Sequence, residues 1–257
     1  MGVIGRLWKR SAAVLILVAI ASAGAAARNK SGGSGSDLPN TVDLPGISET
    51  TVSVGGASAV LLKSAHPHGA IILLAGGDGQ IGVGDNGFIA HPGNQLVRTR
   101  GAYARRSFAV LVPDCCVDVA AAVNYMRAYG HVTLVGTSRG TQRAAHGVAA
   151  GATPDRLVLT SGFLSDASGD SDNAVNTIGS PDRLPPTLIV HHRQDGCRFT
   201  RPEGVQPFLD WAHGKARVVW LDGGSVVSDN PCEAFAYHGF NGIDGSVVAA
   251  VGGFAVR

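Results

Sequence analysis

The sequence has few charged residues, and its basic residues do not cluster. Asp, Glu, Lys and Arg together make up 16% of the 257 residues, and the formal net charge is +2. Lys and Arg are scattered along the chain, without a basic run or a basic stripe interleaved with aromatic residues. The composition therefore gives no indication of nucleic-acid binding, and we predict no nucleic-acid partner.

Cysteine is also scarce, with four in the chain and none before Cys115, which excludes a lipid-modified cysteine near the N-terminus. The cysteines fit no zinc pattern, because there is no Cys-x-x-Cys and no histidine pair at a suitable distance. A metal-dependent hydrolase using His66, His68, His191 and His192 is an alternative, but these histidines lack clustered carboxylates and a His-Glu-x-x-His helix. We predict neither a metal nor a cofactor.

The N-terminal segment differs from the rest of the chain. Arg6, Lys9 and Arg10 precede an apolar run at 12–23, which is followed by three alanines at 25–27. This pattern predicts a signal peptide at 1–27, a flexible leader at 28–40 and a secreted or periplasmic location. A retained membrane anchor is the alternative, but the run is shorter than the roughly 20 residues that a spanning helix needs.

The remaining chain, 41–257, is long enough for one catalytic domain with a single large core. Short aliphatic runs alternate with helix-like stretches, which predicts an α/β fold with a mostly parallel central sheet and helices on both faces. Segment 165–186 is polar and lacks helical periodicity, so we predict no large lid domain. Strands are predicted at 59–63, 70–75, 108–113, 131–135, 156–160, 187–191 and 216–221, and helices at 94–106, 117–129, 141–149, 205–213 and near the C-terminus.

A Gly-x-Ser-x-Gly motif at 136–140 lies between a buried strand and a helix. This context predicts a nucleophile elbow, in which Ser138 occupies a strained turn and the two glycines allow strand and helix to approach closely. A glycine-rich turn that binds an anion, or has no ligand, is the alternative. A serine hydroxyl is a poor nucleophile near neutral pH, so it needs a histidine base that is oriented by a carboxylate.

The acid and the base are sought downstream of Ser138. Asp195 follows the strand at 187–191 and is the predicted acid, ahead of three rivals, Asp210, Asp222 and Asp229. Only two histidines follow Asp195. His213 ends a helix, where a role on the surface or at the helix dipole suits it better. His238 lies in the loop before the closing helix and is the predicted base.

The oxyanion of an acyl-transfer reaction needs two N–H donors. We predict the backbone N–H of Arg139, the residue after the nucleophile, as one donor. The second is predicted in the glycine-rich loop at 76–80, from Gly77 or from Asp78 beside it. This loop lacks the Gly-Lys-Ser/Thr of a P-loop and the Gly-x-Gly-x-x-Gly of a dinucleotide site.

Four cysteines allow three pairings. Cys197 lies two residues after Asp195, and Cys232 lies six residues before His238. A disulfide between them would fasten the acid and base loops together, so this pairing is the one we favour. Cys115 and Cys116 then remain either reduced or joined in a vicinal bridge.

With these residues assigned, the chain from about 50 to 257 resembles the α/β-hydrolase superfamily, in strand order as well as in motifs. The segments 136–140, 191–197 and 232–240 are similar to those of small exported bacterial serine hydrolases. The resemblance implies the α/β-hydrolase fold, a Ser-Asp-His triad and a small ester-like substrate. One departure is that the loop at 76–79 has Gly-Gly-Asp-Gly instead of the His-Gly-Gly-Gly of many lipases and esterases.

The resulting functional hypothesis is a serine esterase that cleaves small or short-chain carboxylic esters through an acyl-enzyme. A peptidase or amidase and an acyltransferase use the same triad and are alternatives. A non-catalytic exported binding protein on a hydrolase scaffold is the alternative from another class.

Overall fold

The computed structural model describes residues 1–2 and 38–256. In this part of the chain, eight strands form one sheet in the order β1-β2-β4-β3-β5-β6-β7-β8. β2 is antiparallel to both of its neighbours, and all strands from β4 to β8 run parallel to one another and to β3. The strands are β1 (Ser48–Val54), β2 (Ala57–Lys63), β3 (Gly69–Leu74), β4 (Phe108–Pro113), β5 (Val132–Thr137), β6 (Arg156–Thr160), β7 (Thr187–His192) and β8 (Ala216–Leu221).

Helices cover both faces of this sheet, as predicted. One face packs against α3, α4, α5 and α6, and the other packs against α1, α2 and α7. The helices are α1 (Gln95–Arg98), α2 (Arg100–Ala104), α3 (Val119–Met126), α4 (Arg139–Ala149), α5 (Ala174–Ile178), α6 (Val205–Trp211) and α7 (Asp244–Ala255).

The continuous apolar run in β3 explains why this strand is central. Ile72 and Leu74 join the core under α3 and α4, whereas Ile71 and Leu73 join the core on the opposite face. All six residues of the strand are buried. Successive side chains of a strand point to opposite faces, so only a strand that is apolar throughout can fill two cores at once.

Three details differ from the sequence-based predictions. β1 is not predicted, because it contains few apolar residues. It lies at the edge of the sheet, where most of its Ser and Thr side chains are exposed. The helix predicted at 94–106 is broken at Thr99, whose hydroxyl donates to the Gln95 and Leu96 carbonyls and whose ψ is 0°. The sequence also allows Asp114 to cap the helix predicted at 117–129, but α3 is capped by Asp118, which accepts a hydrogen bond from the Ala121 N–H.

The segment after β6 stays close to the body of the fold. It contains only short helical turns and α5, and the Gln142 side chain on α4 donates to the Asp172 carbonyl at 2.7 Å. Over residues 38–256, no large lid domain is therefore present.

The predicted signal peptide and most of the predicted leader lie outside the described residues. At the end of that leader, the Asn40 carbonyl accepts hydrogen bonds from the Ile89 N–H and the Arg100 guanidinium, both at 3.0 Å. Asn40 thus contacts the folded body. None of the helices in the described part of the chain is long and apolar enough to cross a membrane.

Candidate active site

Ser138 lies in the sharp turn between β5 and α4. Its backbone has φ 51° and ψ −126°, a conformation that costs a residue with a side chain on the order of 1–3 kcal/mol. Two hydrogen bonds hold the turn: the Ser138 N–H donates to the Thr160 carbonyl at 3.0 Å, and the Thr141 hydroxyl donates to the Ser138 carbonyl at 2.6 Å. The turn projects Ser138 at the carboxyl end of the sheet.

The two glycines of the motif are sterically required. A Cβ on Gly136 would collide with the Gly140 carbonyl, and a Cβ on Gly140 would collide with the Leu74 carbonyl. The helix therefore starts directly against β3 and β5, as the motif predicts.

Asp195 and His238 come together in the interior, although they are far apart in sequence. The His238 Nδ1–H donates to Asp195 Oδ2 at 3.0 Å, and both side chains are buried. The other carboxylate oxygen, Oδ1, accepts the Cys197 N–H at 2.9 Å. Since Nδ1 carries the proton in this arrangement, Nε2 is the imidazole atom left to accept one.

Thr200 belongs to this cluster but was not predicted. Its hydroxyl donates to Asp195 Oδ2 at 3.1 Å, and its oxygen lies 3.0 Å from His238 Nδ1. Thr200 is fully buried, so its hydroxyl fixes the Asp195 carboxylate and the His238 imidazole relative to each other. No motif marks it, because its contact with His238 arises only from the fold.

Several contacts position the loop that carries His238. A disulfide between Cys197 and Cys232 links this loop to the one that carries Asp195. The Ser161 hydroxyl donates to the His238 carbonyl at 2.6 Å. The buried guanidinium of Arg98 donates to the Ala234 and Gly239 carbonyls at 3.1 and 2.7 Å, and it also forms an ion pair with Asp244 of α7.

Ser138 and His238 line the same cavity, which has a volume of about 290 Å³. The other residues that line it come from four segments of the chain: Gly76, Gly77, Asn94, Gln95, Thr137, Cys232, Glu233, Ala234 and Gly239. Asp195 does not line the cavity. Its carboxylate contacts Nδ1 of His238, so the other imidazole nitrogen, Nε2, is not engaged by Asp195.

The three predicted oxyanion donors differ in their position relative to the cavity. Arg139 is the first residue of α4, so its N–H has no acceptor within the helix. Gly77 lines the cavity with a φ of 60°, which glycine adopts without strain. Asp78 is not among the lining residues, and its carboxylate accepts the Gln80 N–H at 2.9 Å. Gly76 was not predicted, but a Cβ there would lie 3.1 Å from Ser138 Cβ.

Cys115 and Cys116 are both free, with their sulfur atoms 2.8 Å apart. The hydrogen bond between the Cys115 thiol and Cys116, together with burial, raises the pKa of Cys115 to about 11. This thiol therefore remains protonated near neutral pH, which argues against a role as a nucleophile.

His191 and His192 are adjacent in β7, so their side chains point to opposite sides of the strand. His192 stacks on Tyr237 with ring centroids 4.6 Å apart, and its Nδ1 accepts the Gln194 N–H, which supports the loop that carries Asp195. His191 is fully buried against Trp220, with its Nε2 3.5 Å from Asp195 Oδ2. Burial lowers the pKa of His191 from 6.5 to about 4, although the Asp195 carboxylate opposes this shift.

Acid is therefore expected to destabilise the protein through His191. The unfolded chain binds a proton at this residue near pH 6.5, whereas the native state does so only near pH 4. The free energy of unfolding should thus fall by roughly 3 kcal/mol from this group as the pH drops through that window, with no further loss below it. Urea titrations of the wild type and His191→Gln at several pH values measure this difference.

The exposed His66 provides the matched control. His66→Gln should keep the acid-sensitive profile of the wild type, whereas His191→Gln should show a shallower decline between pH 6.5 and 4. Parallel profiles for the wild type and His191→Gln would contradict the assignment to His191.

Comparison with known proteins identifies the fold to which this geometry belongs. Neither a protein-family model nor a curated protein sequence matches the chain. Among solved structures, an esterase/lipase from an uncultured bacterium has a TM-score of 0.59 at 16% identity, covering 84% of this chain and 86% of that chain. EstE5, in a crystal soaked with p-nitrophenyl butyrate, has a TM-score of 0.57 at 16% identity, with coverages of 86% and 87%.

An esterase of the bacterial hormone-sensitive lipase family has a TM-score of 0.55 at 16% identity, covering 85% of this chain and 86% of that chain. The chain has an α/β-hydrolase fold. In this hydrolase fold, Ser138, Asp195 and His238 follow β5, β7 and β8, at the edge of the sheet where the loops of an α/β protein form its binding sites.

Proposed function

We propose that this protein is a serine hydrolase that cleaves small, short-chain carboxylic esters through an acyl-enzyme on Ser138. The observation that carries the proposal is the buried hydrogen bond between His238 Nδ1 and Asp195 Oδ2, 3.0 Å long, beside a serine in a strained turn. Each of the three side chains has a defined role in this chemistry.

The first half-reaction forms the acyl-enzyme. Ser138 Oγ attacks the carbonyl carbon of the ester while His238 Nε2 takes the hydroxyl proton. Asp195 stabilises the resulting imidazolium through Nδ1, and Thr200 and the Cys197 N–H keep the carboxylate in place. The tetrahedral intermediate collapses as His238 returns the proton to the leaving alcohol. Water activated by the same histidine then releases the acid.

The negative oxygen of the tetrahedral intermediate needs donors that are oriented before the reaction begins. The Arg139 N–H at the start of α4 is the first proposed donor, and the helix N-terminus adds a favourable positive potential. Gly77 is the second proposed donor, because it borders the same cavity as Ser138. Asp78 is the weaker of the two predicted choices in this loop, since the cavity lining does not include it.

An ester substrate is supported by the structural neighbours, whose names describe an esterase/lipase and an esterase. A short acyl chain is supported by the cavity, whose volume of about 290 Å³ is at the lower end for small-molecule sites. Export to the periplasm or the medium is part of the proposal, and the Cys197–Cys232 disulfide is consistent with an oxidising compartment.

The chain-length preference can be measured with p-nitrophenyl esters. We expect kcat/KM for the acetate and butyrate esters to exceed that for the palmitate ester by about tenfold or more, because the cavity does not enclose a long chain. The p-nitroanilide of acetic acid should react far more slowly than the ester. A preference for palmitate would contradict the short-chain assignment, and a preference for the anilide would favour an amidase.

A further inference from the structure

Within the described residues, the Asn94 side chain makes a hydrogen bond through its oxygen and none through its nitrogen. Asn94 is the N-cap of α1, and its Oδ1 accepts the Leu96 N–H at 3.1 Å. This bond fixes which end of the amide is the oxygen, since a backbone N–H cannot donate to the Nδ2 group. Within the described part of the chain, no group accepts a hydrogen bond from Nδ2, and Asn94 lines the cavity that contains Ser138.

The position of Nδ2 relative to the serine follows from the space beside Gly76. A Cβ on Gly76 would lie 3.1 Å from Asn94 Nδ2 and 3.1 Å from Ser138 Cβ. The amide nitrogen and the serine thus border the same small space, which exists because residue 76 has no side chain. A carbonyl group attacked by Ser138 Oγ has its oxygen close to Ser138 Cβ, within reach of a donor on the other side of this space.

We propose that Asn94 is a further catalytic residue, whose Nδ2–H donates to the substrate oxygen that becomes negative when Ser138 attacks. This inference rests on the proposed serine hydrolase function. In the step concerned, Ser138 Oγ bonds to the carbonyl carbon, the π electrons move to the carbonyl oxygen, and the serine proton moves to His238 Nε2. Asn94 transfers no proton, and it stabilises the oxyanion alongside the backbone donors.

The identity of the residue fits this dual use. Ser, Thr and Asp cap helices about as well as Asn, but an ionised Asp has no hydrogen to donate, and the Ser or Thr hydroxyl is one atom shorter than the amide group. Asn provides an acceptor for the cap and a donor for the substrate from one rigid group. The cap holds the amide plane in position before the substrate arrives, which is the condition for effective oxyanion stabilisation.

Two substitutions separate the donor from the cap. Asn94→Ser and Asn94→Asp both keep an acceptor for the Leu96 N–H, so α1 should retain its cap, but neither presents the amide N–H. With p-nitrophenyl acetate, we expect kcat to fall by about 100-fold in Asn94→Ser, with KM and the unfolding temperature close to those of the wild type. Asp118→Asn is the control. It replaces a carboxylate with an amide at the cap of α3, away from the cavity lining, and should leave kcat unchanged.

Labelling by a fluorophosphonate probe separates the role of Asn94 from the serine hydrolase function itself. If the wild type is labelled at Ser138 but the kcat of Asn94→Ser stays within about threefold of the wild type, the role of Asn94 is wrong and the serine hydrolase function stands. A loss of activity that appears only in KM, or together with a lowered unfolding temperature, would also overturn the catalytic role. Absence of labelling in the folded wild type would overturn both proposals.

Discussion

Replacing Ser138 with alanine is expected to lower kcat/KM for p-nitrophenyl acetate by roughly 10⁴-fold or more, because the acyl-enzyme cannot form without the hydroxyl. His238→Ala should cause a loss of similar size. The Ser138→Ala/His238→Ala double variant should be no worse than either single variant, since the two residues act as one unit. Steady-state hydrolysis at pH 8 measures all three, with the unfolding temperature as a check on folding.

His213 provides the matched control for the histidine. It is the other histidine that follows Asp195 in the sequence, and it is exposed just after α6, away from the cavity lining. His213→Ala should therefore retain the activity of the wild type. If His213→Ala lost activity as strongly as His238→Ala, the assignment of the base would be wrong.

The Asp195→Asn substitution is expected to lower kcat by roughly 10³- to 10⁴-fold while leaving the fold intact. The asparagine amide has nearly the shape of the carboxylate, but it cannot both accept the Nδ1–H and stabilise the imidazolium. When the introduced amide donates toward Nδ1, it favours the tautomer with the proton on Nε2, which cannot act as the base. The effect should appear in kcat more than in KM, because Asp195 does not touch the substrate.

Asp222 is the control for the acid. It follows β8, it was a rival candidate in the sequence, and its carboxylate forms an exposed ion pair with Arg193 at 3.3 Å. Exposed pairs of this kind contribute little, so Asp222→Asn should keep kcat within about twofold of the wild type. Equal losses in Asp195→Asn and Asp222→Asn would contradict the proposed acid.

The sheet could be predicted from the sequence because most of its strands are apolar on both faces. The runs in β3, β4 and β7 are continuous and fully buried, and a continuous run bounded by turn residues is a strong signal for a parallel strand. β1 gives no such signal, since an edge strand exposes one side to water and pairs through its backbone. The sequence does not predict the break at Thr99, because its cause is a side-chain hydrogen bond to preceding carbonyls, which competes with helix geometry.

The sequence indicates those residues of the candidate site that belong to a local motif or follow a recognisable helix or strand. Ser138 is marked by the flanking glycines, and the loops of Asp195 and His238 follow recognisable elements. Thr200, Asn94 and Gly76 carry no such mark, because each meets the site only through the packing of separate loops. For the loop at 76–80, where the second oxyanion donor is proposed, the sequence does not show which residue borders Ser138, since that depends on the backbone dihedral angles.

The intact mass of the purified protein after treatment with a fluorophosphonate probe shows whether Ser138 is an activated nucleophile. We expect one adduct on the wild type, none on Ser138→Ala and weak labelling of His238→Ala, because only an activated serine reacts readily with this probe. A folded wild-type protein that forms no adduct, or an adduct that persists in Ser138→Ala, would contradict the assignment of Ser138 as an activated nucleophile.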